Sequence, residues 1–268
     1  MRVSDILDRL LDRFPSDSAE PWDHIGLSVG DPDAEVTGVA CALDATFDSL
    51  VRADALGANV LLTHHPVYLS APDCFAPVSP DRPASSGVVY EAARRGIAII
   101  SLHTNLDRSF EARRVLPELL GFEPLSSLEH RDDPAARGLG SVCDIEPVSL
   151  SELALRSEDA FQTHAQVWGL KDAPIRRVAF MGGSLGEFGE LALACRCDAI
   201  ITGELGYHRA QDLALRGLSV ILLGHDRSEQ PFCRILADAA SRAGVAQERI
   251  HIISLPQQWW VPTQGGNA

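Results

Sequence analysis

The sequence has little with which to grip a nucleic acid, cross a membrane or staple itself together. Its formal net charge is −14, and so acidic a surface repels phosphate backbones and anionic lipid headgroups alike. No apolar run reaches membrane length, and Met1-Arg2-Val3-Ser4-Asp5 is too polar to open a secretory signal. The expected location is the cytoplasm. The six cysteines (Cys41, Cys74, Cys143, Cys195, Cys197 and Cys233) are scattered, with only Cys195 and Cys197 close together. That pattern contains no C-x-x-C metal pair and no disulfide framework. It fits reduced, small core residues. A G-x-S-x-G nucleophile motif is also missing, which weighs against a Ser-His-Asp triad. The Gly182-to-Gly189 stretch lacks the Lys-Ser/Thr of a phosphate loop, and its spacing misses G-x-G-x-x-G. It reads as a tight turn, with phosphate contact at the following helix start as the alternative.

What is present is a globular chain. Its 268 residues, 46% apolar and 22% charged, can bury one large core or two modest ones. Val3, Ile6, Leu7, Leu10, Leu11 and Phe14 mark one face of a first helix, with Ser4 as its cap and Pro15 as its stop. Pro21 to Leu27 is a loop, in which Trp22 reads as a packing anchor and Asp23 as a turn or cap residue. Strands are expected over Val36 to Leu43 and Asn59 to Leu62, around a helix from Thr46 to Leu56 closed by Gly57. Residues 70–83 are proline-rich and run over the surface. A helix from Ser86 to Arg95 leads into the strand Ile97 to Ser101, and Phe110 to Leu120 is helical.

Residues 123–136 are polar and form the candidate boundary. Beyond it, Leu139 to Ile145 and Gln162 to Val167 read as strands around a helix capped at Ser149 or Ser151. Arg177 to Met181, Asp198 to Thr202, Ser219 to Leu223 and Ile250 to Ile253 are further strands. Tyr207-His208 opens one helix, and Ser228 caps another carrying Phe232, Ile235, Leu236 and Ala239. Trp259 and Trp260 in the tail are expected to pack on the body or on a partner subunit. Strand and helix alternate throughout, which is the pattern of an α/β fold.

The organising stretch is Thr63-His64-His65-Pro66. Side chains alternate along an extended chain, so His64 and His65 start in opposite directions. A turn, restricted by Pro66, can splay them into one crevice. Taken alone, the doublet also fits a polar loop with two solvated histidines. However, other expected strands end in the same chemistry: His103 and Asp107, Glu204 and His208, His225 and Glu229. Sites in α/β sheets form outside the carboxyl ends of strands. Imidazole and carboxylate without thiolate is a ligand set for Zn, Fe, Mn, Co or Ni. Six strong candidates exceed the need of one ion, so two divalent ions sharing a carboxylate is the economical reading, spaced about 3.5–4 Å apart.

These blocks resemble the NIF-three-like dinuclear-metal family, often named GTP cyclohydrolase 1 type 2 homologues. The resemblance rests on Trp22-Asp23-His24-Ile25-Gly26-Leu27, Leu62-Thr63-His64-His65-Pro66, His103-Thr104-Asn105-Leu106-Asp107, Thr202-Gly203-Glu204 with Tyr207-His208, and Gly224-His225 with Glu229. It implies two intertwined α/β domains with mixed sheets flanked by helices, assembling as a toroidal homohexamer. The first domain would comprise 1–125 plus about 225–268, and the second about 126–224. Position by position, His64 and Asp107 would serve one metal, His65 and His225 the other, and Glu229 would bridge them. His103 would line the site, as a ligand or with His208 as a proton carrier. Where the family usually has Trp-Asp-Asn this chain has Trp-Asp-His, so His24 would add a ligand or replace an amide hydrogen bond. With about fifty residues between Phe122 and Pro174, the chain resembles the short form without the large inserted domain. The implied activity is metal-dependent hydrolysis of a nucleotide or other phosphorylated small molecule, GTP being the named guess. Metal binding or delivery without catalysis, or a regulatory scaffold, are the alternatives.

Overall fold

A computed structural model describes residues 1–254 and Trp259; Trp260 and the expectation placed on it lie outside the described residues. In chain order, α1 (Val3–Arg13), β1 (Gly26–Val29), β2 (Val39–Ala42), α2 (Phe47–Ala55), β3 (Val60–Thr63), α3 (Ala84–Arg95) and β4 (Ala98–Ser101) come first. Next are α4 (Thr104–Asp107), α5 (Phe110–Glu118), β5 (Ser141–Ser149), α6 (Leu150–Phe161), β6 (Gln166–Trp168) and β7 (Pro174–Phe180). The chain continues through α7 (Phe188–Ala194), β8 (Ala199–Thr202), α8 (Tyr207–Leu215), β9 (Ser219–Leu222), α9 (His225–Glu229), α10 (Phe232–Arg242) and β10 (Ile250–Ile252).

The strands form two five-stranded mixed sheets, ordered β1-β4-β3-β2-β10 and β5-β7-β8-β9-β6. In the first, β10, β2, β3 and β4 are parallel and β1 closes one edge antiparallel. In the second, β7, β8 and β9 are parallel between the antiparallel edges β5 and β6. The short apolar runs explain this layout. β2, β3, β4, β8 and β9 are buried along their whole length, as parallel strands covered on both faces must be. Parallel neighbours need crossover helices, supplied by α2 and α3 in the first sheet and α7 and α8 in the second. The carboxyl ends of consecutive parallel strands therefore gather at one edge of each sheet.

Helix α10 carries the chain from the second sheet back to the first, packing on β2, β3, β10, α1 and α5. Its buried stripe, Phe232, Ile235, Leu236, Ala239 and Ala240, belongs to one core. That core runs from Val39, Leu62 and Ile100 to Phe180, Ile201 and Ile221. Each such Leu, Ile or Phe contributes about 1.5–3 kcal/mol by leaving water. The core holds the two strand-end edges against each other.

Several local expectations are corrected. Ser4 does not cap α1; Arg2 holds the cap position and donates its N–H to Asp5 at 2.7 Å. Ser228 does not cap the helix carrying Phe232, because α10 starts after Pro231 and Ser228 lies inside α9. The loop expected through Leu27 gives way at Gly26 to β1, which pairs with β4. No strand begins at Gln162, whose φ of 52° closes α6 in the left-handed region. Of the two caps expected for α6, Ser149 is the one that accepts the N–H of Glu152, and Thr46 likewise caps α2 by accepting the N–H of Ser49.

Candidate metal centre

The centre starts where β3 ends. The amides of His64 and His65 still donate to Ala42 and Leu43 along the neighbouring strand β2 and its end, at 3.2 and 2.9 Å. The Thr63 hydroxyl donates to the His65 carbonyl at 2.7 Å, bending the chain before Pro66. The imidazoles then diverge only slightly, with ring centroids 5.1 Å apart. The rings of His64 and His103 lie at 5.2 Å, and those of His65 and His225 also at 5.2 Å.

In each of these four rings Nδ1 is pinned from outside. His64 Nδ1 lies 3.0 Å from the Leu102 carbonyl, which can only accept, so that nitrogen carries the hydrogen. The neutral ring then presents a bare Nε2 lone pair. His65 Nδ1 donates to Asp44 at 2.7 Å, His103 Nδ1 to Asp23 at 2.8 Å, and His225 Nδ1 to Glu204 at 3.1 Å. Around a metal, such outer partners fix the tautomer and ring orientation of ligating histidines.

Glu229 stands where the rings converge. Its Oε2 is 2.8 Å from His65 Nε2 and 3.0 Å from His225 Nε2. Its Oε1 is 3.8 Å from His64 Nε2, which lies 3.5 Å from Asp107 Oδ1. Potential ligand atoms of His64, His65 and His103 lie within 4.8 Å of one another, and so do those of His65, His225 and Glu229. His64 Nε2 and Asp107 Oδ1 are buried with no hydrogen-bond partner, an arrangement that costs stability unless something satisfies them. Divalent cations fit this donor set, which is imidazole and carboxylate without thiolate.

The titration behaviour follows from the same contacts. Burial alone would lower His65, but hydrogen bonds to Asp44 and Glu229 and their charges push it up to about 10. His225 is raised to about 9 by its hydrogen bond to Glu229, against the effect of burial. Burial would raise Glu229, yet the His225 and His65 imidazoles against its carboxylate, with His64 nearby, hold it well below the usual carboxylate range. Asp107 goes the other way, because desolvation outweighs the nearby imidazoles. For Asp23, hydrogen bonds from His103 and Thr104 overcome burial and bring it down to about 2.

The glycine stretch has a local explanation. Gly183, at φ +60°, lies so close to Glu229 and His225 that a Cβ there would collide with both carboxylate and imidazole. Its N–H donates to Ser228 Oγ at 2.9 Å, and Ser228 donates in turn to the His225 carbonyl at 2.8 Å. The Leu185 amide is engaged by the Glu204 carbonyl. The loop is a close-fitting wall behind Glu229.

The residues expected at the site thus fall into two groups. His64, His65, His103, Asp107, His225 and Glu229 are brought together; His208 is exposed at the start of α8 against the Tyr207 ring and does not line the cavity. His24 stacks on Tyr68 at 4.7 Å with its Nε2 buried and unpaired, apart from both ligand groups. Trp259 donates its indole N–H to the Asp226 carboxylate. Asp44 was not singled out by sequence, and Asp23 was read only as a turn or cap residue. Asp44 directly follows a buried strand, which is the signal that identified the histidines. A cavity of about 680 Å³ opens over the centre, with Trp22, Leu69, Met181 and Phe188 among its walls.

The family profile described as Duf34/NIF3 (NGG1p interacting factor 3) matches residues 1–258. A Streptomyces coelicolor protein named GTP cyclohydrolase 1 type 2 homolog is 32% identical over 87% of this chain and 84% of its own length. A Lactococcus lactis protein of the same name is 31% identical over 89% and 91%. Among solved structures, a Bacillus cereus protein related to NIF3 has a TM-score of 0.88 at 20% identity, covering 98% of this chain and 99% of its own. A Staphylococcus aureus hypothetical protein gives 0.87 at 20% identity with the same coverage. The chain belongs to the Duf34/NIF3 family.

Proposed function

We propose that the protein binds two divalent metal ions at this centre and uses them to hydrolyse a nucleotide or other phosphorylated small molecule, in the manner its relatives' name, GTP cyclohydrolase 1 type 2 homolog, implies. The observation that carries the reading is the set of imidazoles whose outer nitrogens are anchored while the inner ones converge on Glu229. His64 and Asp107 would hold one ion, His65 and His225 the other, and Glu229 would serve both. Bound there, the ions would supply Lewis acidity and an acidified water. His103, oriented by Asp23 through Nδ1, would move a proton at Nε2, as an Asp-His pair does in general acid–base catalysis. The apolar cavity walls would exclude bulk water from the reacting group. We assign this proton role to His103 alone, since His208 does not line the cavity.

The two sheets are taken as two domains, 1–125 plus about 225–268 and about 126–224, in a toroidal homohexamer. Light scattering tests the assembly: a monomer would count against the ring. The second reading is a metal-binding or delivery protein without turnover, favoured by the exposure of His225, 38% of its side chain. Metal analysis of the purified protein, joined to a turnover screen with GTP and simple phosphoesters, separates the two. About two ions per chain with turnover abolished in Glu229→Ala supports the hydrolase. Two ions without turnover supports delivery, and less than one ion overturns both.

A further inference from the structure

The cavity above the metal centre has a composition that selects among substrates. Trp22 is 56% exposed and Leu69 53% exposed, although both belong to its wall. The Trp22 ring meets His103 edge-on, with centroids 6.0 Å apart at 72°. Its faces are therefore not covered by the histidine. Met181 and Phe188 add apolar surface, and the charged or titratable lining is Glu20, Asp107 and Glu229 with the site imidazoles His65, His103 and His225. Among the described residues, none of those lining the cavity is arginine or lysine. The neighbouring Arg108 is committed elsewhere, bonding Glu129 through Nε and Nη2, Glu20 through Nη2 and the Ser18 carbonyl through Nη1. Nor does the glycine loop offer its Gly183 and Leu185 amides, which are engaged within the protein.

A polyphosphate is usually held by arginine, lysine, a run of free amides or a bound metal ion, and of these only the metal ions would be at hand here. An exposed indole beside reacting groups is instead suited to stacking a flat ring. We propose that this cavity recognises the heteroaromatic ring of its substrate, stacked on Trp22 with its edge toward His103 and Asp107, and that a phosphate tail adds nothing to recognition. The inference rests on the hydrolase reading and deepens it. Ring chemistry belongs at the metals, and a nucleoside should serve as well as its triphosphate.

The test is equilibrium dialysis of the Mn²⁺-loaded protein against guanosine, GTP and inorganic triphosphate. Guanosine and GTP should bind within about threefold of each other, and inorganic triphosphate should not displace guanosine. Trp22→Ala should weaken both ligands roughly tenfold, the scale of one base–aromatic stack, and Trp22→Phe should restore most of the loss. Metal content of both variants should stay at the wild-type value, because Trp22 is a wall residue and not a donor. GTP binding more than tenfold tighter than guanosine, with triphosphate competing, would overturn the proposal. So would unchanged guanosine binding in Trp22→Ala, or no guanosine binding at all. Each of these results leaves the hydrolase reading standing if the two ions and phosphoester turnover are present, so the two failures are distinguishable.

Discussion

Protons and metal ions compete for the same nitrogens at this centre, and the competition has a calculable size. Without metal, His65 Nε2 and His225 Nε2 donate to Glu229, and the two rings are raised to about 10 and about 9. Both are therefore imidazolium at pH 7. A cation must displace those protons before it can use the lone pairs. Each unit between pH and pKa is a factor of ten. The proton on His65 thus weakens apparent affinity by about a thousandfold at pH 7, and that on His225 by about a hundredfold. Chelator-buffered Mn²⁺ titrations between about pH 6.5 and 8.5 should show log affinity rising by close to two per pH unit. Calorimetry in buffers of different ionisation enthalpy should give release of about two protons per chain on loading. A flat affinity profile with no proton release would refute the reasoning.

The same contacts set a pH dependence of stability, with its sign fixed by linkage. A group raised on folding adds stability that is fully present below its unfolded value, about 6.5 for histidine, and is lost as pH rises through the folded value. Chelator-stripped protein should therefore lose thermal stability from about pH 7 to about pH 10. Stabilisation by added Mn²⁺ should grow over the same window, because binding tightens as the protons leave. Opposite slopes for stripped protein and for metal stabilisation are the signature; parallel slopes would mean that His65 and His225 do not titrate against metal.

Asp44→Asn should weaken metal binding by about ten- to a hundredfold, through loss of the charge that orients His65, with little change in the secondary-structure spectrum; unchanged affinity in the titration above would remove Asp44 from the centre. Gly183→Ala should cost about 1–3 kcal/mol for placing a side chain at φ +60°, and should also lower metal content, since the new Cβ displaces Glu229 and His225; denaturant melts and elemental analysis read the two effects separately. Chelator should strip the ions in two phases, the first from the side of His225, whose side chain is 38% exposed and whose anchor Glu204 is 58% exposed. The slow phase belongs to buried His64, and a single phase for both ions would contradict the asymmetry.

Legibility from sequence divided according to how locally each feature is determined. The buried strands could be read because a run such as Val60-Leu61-Leu62 has one stable use, covered on both faces of a parallel sheet. Histidines and carboxylates placed just past such runs then had to gather at the strand ends, so the inner residues of the centre were visible as candidates. Which strand ends would meet was not visible in any one segment. The approach of β3 and β4 to α9 depends on α10 crossing back from the second sheet, a packing decision spread over Phe232, Ile235, Leu236 and the strands they touch. The outer carboxylates were obscured for another reason. Asp23 and Asp44 carry ordinary turn chemistry in the sequence, and their role exists only because His103 and His65 arrive from 80 and 21 positions away. Ser228 misled by the same logic. A serine before an apolar helical face is a good cap, yet Pro231 sets the start of α10, and the hydroxyl serves Gly183 in the loop after β7. Local rules thus identify groups able to serve a site, whereas long-range packing decides which of them touch. The residues most exposed to misreading are those whose partner lies at the end of another strand, far along the chain.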